Sequence, residues 1–112
     1  MKYGFIKVAA ATPKIRVSDC VFNTDAVIAQ IKQACDEGAS LVTFPELCIT
    51  GYTCFDLFFQ KTLLRAAESA IARILEETKN SDIVSVVGVP VAYKNALYNC
   101  AAVICKGELL AL

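Results

Sequence analysis

Residues 41–52 read LVTFPELCITGY, a short apolar run followed almost at once by a proline and a carboxylate. Leu41 to Phe44 has the length and character of a buried strand. Glu46 then sits between Phe44-Pro45 on one side and Leu47-Cys48-Ile49 on the other. Glutamate is among the residues least often buried, because an unpaired charge loses its hydration. Two readings follow. The carboxylate caps N–H groups of the turn leading to Gly51, or pairs with a lysine; alternatively it is a general base tuned by its apolar neighbours. Its place at the C-terminal end of a strand, where open α/β sheets form their ligand crevices, keeps the second reading alive. Asp56, the next acid, lies in a polar step and reads as a helix cap.

Outward from this stretch the pattern is α/β. Residues 4–11 (GFIKVAAA) predict a first strand ended by Thr12-Pro13. A helix is expected from about Asn23, a plausible N-cap, to Glu37, with Gly38 placed to stop it. Val27, Ile28, Ile31, Ala34 and Cys35 form one apolar stripe, which packs this helix on the strands before and after it as a β-α-β unit with a right-handed crossover. Residues 56–60 (DLFFQ) read as a turn or short helical step. A second helix, about Lys61 to Thr78, repeats the helical spacing through Leu63, Leu64, Ala67, Ala70, Ile71, Ile74 and Leu75. Residues 83–89 form a continuous apolar run bounded by Pro90, expected to be a strand covered on both faces. Leu97 to Cys105 is a fourth strand, Lys106-Gly107 a turn, and a fifth strand begins at Glu108. An apolar run at 109–112 with no cap leaves an unprotected edge, so the 112 residues are expected to be the first part of a longer domain.

Composition narrows the function classes. Eleven basic residues balance eleven acidic ones, so no net charge draws the chain to nucleic acid or an anionic membrane. Apolar residues make up 56% of the chain, an excess that suggests cover by partner subunits or by further sequence. No segment approaches the ~20 apolar residues of a membrane span, and Lys7 interrupts the only run that resembles a leader. The six cysteines lack any CxxC spacing, and without histidine there is no mixed zinc site. They read as free thiols in a reducing cytoplasm, and no metal is expected here. The absence of histidine also excludes Ser-His-Asp and Cys-His catalysis within the chain. No GxGxxG or GxxxxGK[ST] loop is present.

The combination Phe44-Pro45-Glu46-Leu47 with Thr50-Gly51-Tyr52 resembles the first catalytic motif of the nitrilase superfamily, the carbon–nitrogen hydrolases. The flanks are similar too: the strand 5-FIKVAAATP-13, Asn23 before the helix, 40-SLVT-43, and 97-LYNCAAVI-104 with Gly107. Within that superfamily, 51-GYTCFDLFFQ-60 resembles the segment after the glutamate motif in glutamine-dependent NAD synthetases. The resemblance implies the N-terminal portion of a four-layer αββα sandwich, with residues 1–112 a partial glutaminase domain.

It also implies a Glu-Lys-Cys triad in which Glu46 takes the thiol proton, the cysteine attacks glutamine, and lysine stabilises the oxyanion. Only the glutamate maps onto this chain; the lysine and cysteine are expected beyond Leu112, so the isolated chain is expected to be inactive. Cys48 matches an aliphatic position and Cys100 a small one, and neither is read as the nucleophile. Tyr52 matches a tyrosine near the pocket and is a candidate for binding glutamine, with a packing role as the other reading. Asn99 is expected to be a buried amide fixing its strand. The parent is expected to be a cytoplasmic homo-oligomer that amidates nicotinic acid adenine dinucleotide, with ATP and Mg2+ held by a separate synthetase domain. Two alternatives stand beside this: another amidase of the superfamily acting on a small amide or carbamoyl compound, and a non-catalytic interaction module.

Overall fold

The computed structural model describes residues 4–112; Met1 to Tyr3, the start of the segment weighed above as a leader, lie outside the described residues. Five strands and two long helices follow in the order β1 (Val8–Ala10), α1 (Cys20–Asp36), β2 (Leu41–Thr43), α2 (Lys61–Glu77), β3 (Val84–Tyr93), β4 (Ala96–Cys105) and β5 (Glu108–Ala111), with a 3-10 turn at Phe55–Phe59. They form one sheet in the order β1-β2-β3-β4-β5. β1, β2 and β3 run parallel, each pair linked through a helix, while β3-β4 and β4-β5 are antiparallel hairpins. Two successive crossovers in the same direction put both helices on one face of the sheet.

That face holds the core. Val27, Ile28, Ile31 and Ala34 of α1 and Leu63, Ala67, Ala70 and Ile74 of α2 bury against Val42, Val87, Val89, Ala102 and Ile104. The register explains the selection: Val42 pairs with Ser85 and Ser85 with Ile104, so these positions share the helix side of the pleat. Thr43, Val86 and Val103 are partners on the opposite side, which no helix covers. β3 was expected to be covered on both faces; instead Val84 and Val86 are only half-buried.

The remaining departures have local causes. α1 begins at Cys20 rather than Asn23, because the Asp19 carboxylate caps it, accepting from the Phe22 N–H at 3.0 Å. Asp56 caps neither helix: it lies in the first turn of the 3-10 segment, and α2 starts after Gln60 without a side-chain cap. β1 is shorter than its apolar run because β2 offers only three partners, Leu41 to Thr43. β3 runs through Pro90 instead of stopping there. The carbonyls of Val86 and Gly88 point away from β4, accepting from Phe44 N–H at 2.9 Å and Ile49 N–H at 3.3 Å. Pro90, two residues on, therefore turns its missing N–H to the same side, where β2 has already ended, and no ladder bond to β4 is lost.

Candidate active site

The segment after β2 is built as a turn that throws one residue outward. Phe44 and Leu47 bury their side chains, while Pro45 and Glu46 between them are exposed. Leu47 adopts φ 52°, in the left-handed region that a branched residue seldom occupies, at a cost of about 1 kcal/mol or more. What holds it there is a set of main-chain bonds. The N–H groups of Thr50 and Gly51 donate to the Leu47 carbonyl at 3.2 and 2.7 Å, and Ile49 N–H reaches Gly88 of β3. Gly51 closes the turn at φ 83°, with a Cβ there 3.4 Å from the Val17 backbone.

These bonds bear on the capping role left open for Glu46. The N–H groups of Thr50 and Gly51, at the end of the turn, already donate to the Leu47 carbonyl, and that of Ile49 to Gly88. Among the described residues the ion pairs join Arg73 to Asp25 and Glu77, Lys79 to Glu76, and Lys106 to Asp82, and none engages Glu46. The carboxylate instead lines an open groove of about 320 Å3 on the helix-free face, together with Thr43, Pro45, Val86, Asn99 and Ala101. Glu46 was pictured between apolar neighbours; Phe44, Leu47, Cys48 and Ile49 are buried and leave it, with Pro45, facing solvent.

Asn99 also departs from expectation. It is exposed in the Glu46 groove rather than buried, because its register partner Pro90 places it on the helix-free face. The buried amide is Asn23. Its side chain is fully enclosed, accepts from Arg16 N–H at 2.7 Å, and donates to the carbonyls of Arg16 at 2.8 Å and Ile49 at 2.9 Å. It thus ties the loop before α1 to the turn that carries Glu46. Tyr52 stands 71% exposed just beyond Gly51 and does not line the groove.

The cysteines are all free. Burial pushes the Cys48 thiol up to about 11, and its sulfur lies 3.7 Å from the Gly88 carbonyl. A thiol held protonated in this way is not an activated nucleophile. Cys100 borders the groove, but as the register partner of Val89 it packs towards the core. Among the described residues no three His, Cys, Asp or Glu side chains come together to hold a metal ion. No described helix is long and apolar enough to cross a membrane.

A family model described as carbon-nitrogen hydrolase matches residues 7–111. The chain belongs to the carbon–nitrogen hydrolase family. Among curated members, a glutamine-dependent NAD(+) synthetase from Mycobacterium tuberculosis is 36% identical over 109 residues, covering 97% of this chain and 16% of that protein. One from Xylella fastidiosa is 39% identical over 106 residues, covering 94% and 19%. The chain therefore spans less than a fifth of the length of these relatives. Among solved structures, a glutamine-dependent NAD(+) synthetase from Cytophaga hutchinsonii superposes with a TM-score of 0.81 at 30% identity, covering 93% of this chain and 18% of that one. An amidase from Nesterenkonia superposes with a TM-score of 0.80 at 22% identity, which shows the shared hydrolase fold. The mixed α/β sheet and helices are those of the nitrilase superfamily.

What sequence reasoning missed at this candidate site is Gly88. A Cβ at that position would lie 2.3 Å from the Leu47 nitrogen, 2.6 Å from the Pro45 carbonyl oxygen and 2.9 Å from the Glu46 carbonyl carbon. The turn carrying Glu46 rests directly on the Gly88 backbone. A lone glycine inside an apolar strand run was the available signal, since it commonly marks a close backbone approach.

Proposed function

We propose that this chain is part of the glutamine-hydrolysing domain of a glutamine-dependent NAD synthetase, with Glu46 as its general base. The observation that carries the reading is the FPEL turn, which turns two apolar side chains inward and presents the carboxylate on an open groove. Glu46 accepts the proton of a cysteine thiol, and the thiolate attacks the glutamine amide carbon. As the tetrahedral intermediate collapses, the C–N bond breaks and the proton returns to the departing nitrogen, releasing ammonia and leaving a thioester. Glu46 then takes a proton from water, which attacks the thioester and frees glutamate and the thiol. The cysteine, and a lysine that steadies the oxyanion, come from the rest of the parent protein.

Tyr52 is assigned to the glutamine site, completed by segments beyond this chain. ATP and Mg2+ belong to the synthetase part of the parent protein; no step here passes through them. Six free thiols fit a reducing cytoplasm. The open sheet face fits cover by the rest of the parent and by its oligomer partners. Relatives named as NAD synthetases at 36 and 39% identity favour this reading over an amidase of small compounds. The test is Glu46→Gln in the parent protein: glutamine-driven NAD synthesis disappears while ammonia-driven synthesis survives. Retained glutamine use would remove Glu46 from the role of base.

A further inference from the structure

We propose that Gly88 is a positioning residue for Glu46, a bare stretch of β3 backbone against which the catalytic turn is set; this rests on the general-base reading above. Three observations converge on it. The clash distances of 2.3, 2.6 and 2.9 Å all fall on backbone atoms of Pro45, Glu46 and Leu47, so no side chain can rotate aside to admit a methyl group. The Gly88 carbonyl accepts from Ile49 N–H at 3.3 Å, and Phe44 N–H donates to Val86 at 2.9 Å, so the turn is tied to β3 at both ends. Between these ties Leu47 sits at φ 52°, a conformation that persists only when its surroundings over-determine it.

The three act together. Hydrogen bonds on either side pull the turn onto the strand, the missing side chain lets it come within contact, and the left-handed residue aims the preceding carboxylate into the groove. A methyl at position 88 needs ordinary contact of at least 3.4 Å where 2.3 Å is available. The turn must therefore retreat by about 1 Å, and a misplacement of that size can lower a chemical step by roughly 100-fold. Because the group displaced is the base itself, the loss falls on kcat rather than on KM.

The experiment compares four variants of the parent protein for glutamine-driven and ammonia-driven NAD synthesis. Gly88→Ala should lower kcat with glutamine by roughly 100-fold, with KM for glutamine and the ammonia-driven rate little changed. Val87→Ala, on the same strand but facing the helices, should keep most of the glutamine-driven rate. Leu47→Gly, which frees the turn without adding an atom, should lower the same kcat by at least about tenfold and carries the test if Gly88→Ala does not fold. Glu46→Gln separates the two ideas. If it retains glutamine use, the general-base reading falls. If it loses glutamine use while Gly88→Ala and Leu47→Gly do not, the positioning role alone is overturned. An equal loss in Val87→Ala, or a change confined to KM, also overturns it.

Discussion

Replacing Asn23 tests whether one buried amide holds the turn that carries Glu46 in place. Its side chain makes three hydrogen bonds, at 2.7, 2.8 and 2.9 Å, to main-chain groups of Arg16 and Ile49. Asn23→Ala removes all three. At about 1 kcal/mol net for each bond, the direct loss is roughly 3 kcal/mol. Arg16 is exposed and its main-chain groups can recover water, whereas Ile49 is fully buried and its carbonyl cannot. The stranded carbonyl adds about 1–3 kcal/mol, and the freedom of the ordered side chain returns up to about 1 kcal/mol. A net destabilisation of about 3–6 kcal/mol follows.

Asn23→Asp is the sharper comparison. It keeps the acceptor for Arg16 N–H but loses both donors and aims a carboxylate at two carbonyl oxygens. Burial and those oxygens raise its folded-state pKa, so its stability is greatest at low pH and falls as pH rises through that value. At pH 7 it should be no more stable than the alanine variant, and in acid it should exceed it. Urea unfolding followed by circular dichroism reads both. With a slope of about 1.5 kcal/mol/M, 3 kcal/mol moves the midpoint by roughly 2 M. Variants that both lie within about 0.5 kcal/mol of the wild type would refute the clamp.

Further outcomes follow from the same geometry. Glu46→Gln should leave unfolding free energy within about 0.5 kcal/mol of the wild type, because the carboxylate is exposed and the N–H groups of Ile49, Thr50 and Gly51 are satisfied without it; a loss above 2 kcal/mol would restore the capping role. At Leu47, alanine should destabilise more than glycine, the reverse of the usual order, since both lose the buried side chain but only glycine relieves φ 52°. Burial pushes the Cys20 and Cys48 thiols from 9.0 up to about 11, so the folded chain resists their ionisation. The contribution of these thiols to stability should be constant below pH 9 and fall between pH 9 and 11, by up to roughly 2–3 kcal/mol per thiol; urea midpoints across that window, with Cys48→Ser as control, provide the check.

The helices were legible because their apolar residues recur with the helical period, and α2 came within a residue of its predicted limits. The carboxylate at the end of β2 was legible because FPEL with TGY is a local pattern. Other features had no local signature. Asp19 and Asn23 are both good caps in isolation, and only the 2.9 Å bond to Ile49, 26 residues away, commits Asn23 to the clamp. Asn99 could be read as buried until the register with Pro90 set its face.

The sequence alone determined the α/β class, the order of elements and the identity of the acid at the end of β2, since each is encoded by neighbours within a few residues. Tertiary structure decided which face that acid serves, what satisfies the N–H groups around it, and that the strand beneath it must be bare at Gly88. Those facts depend on backbone segments some 40 residues apart packing so closely that a Cβ on Gly88 would lie 2.3 Å from the Leu47 nitrogen, an approach set by the packing of β3 against the turn and by no local preference of either.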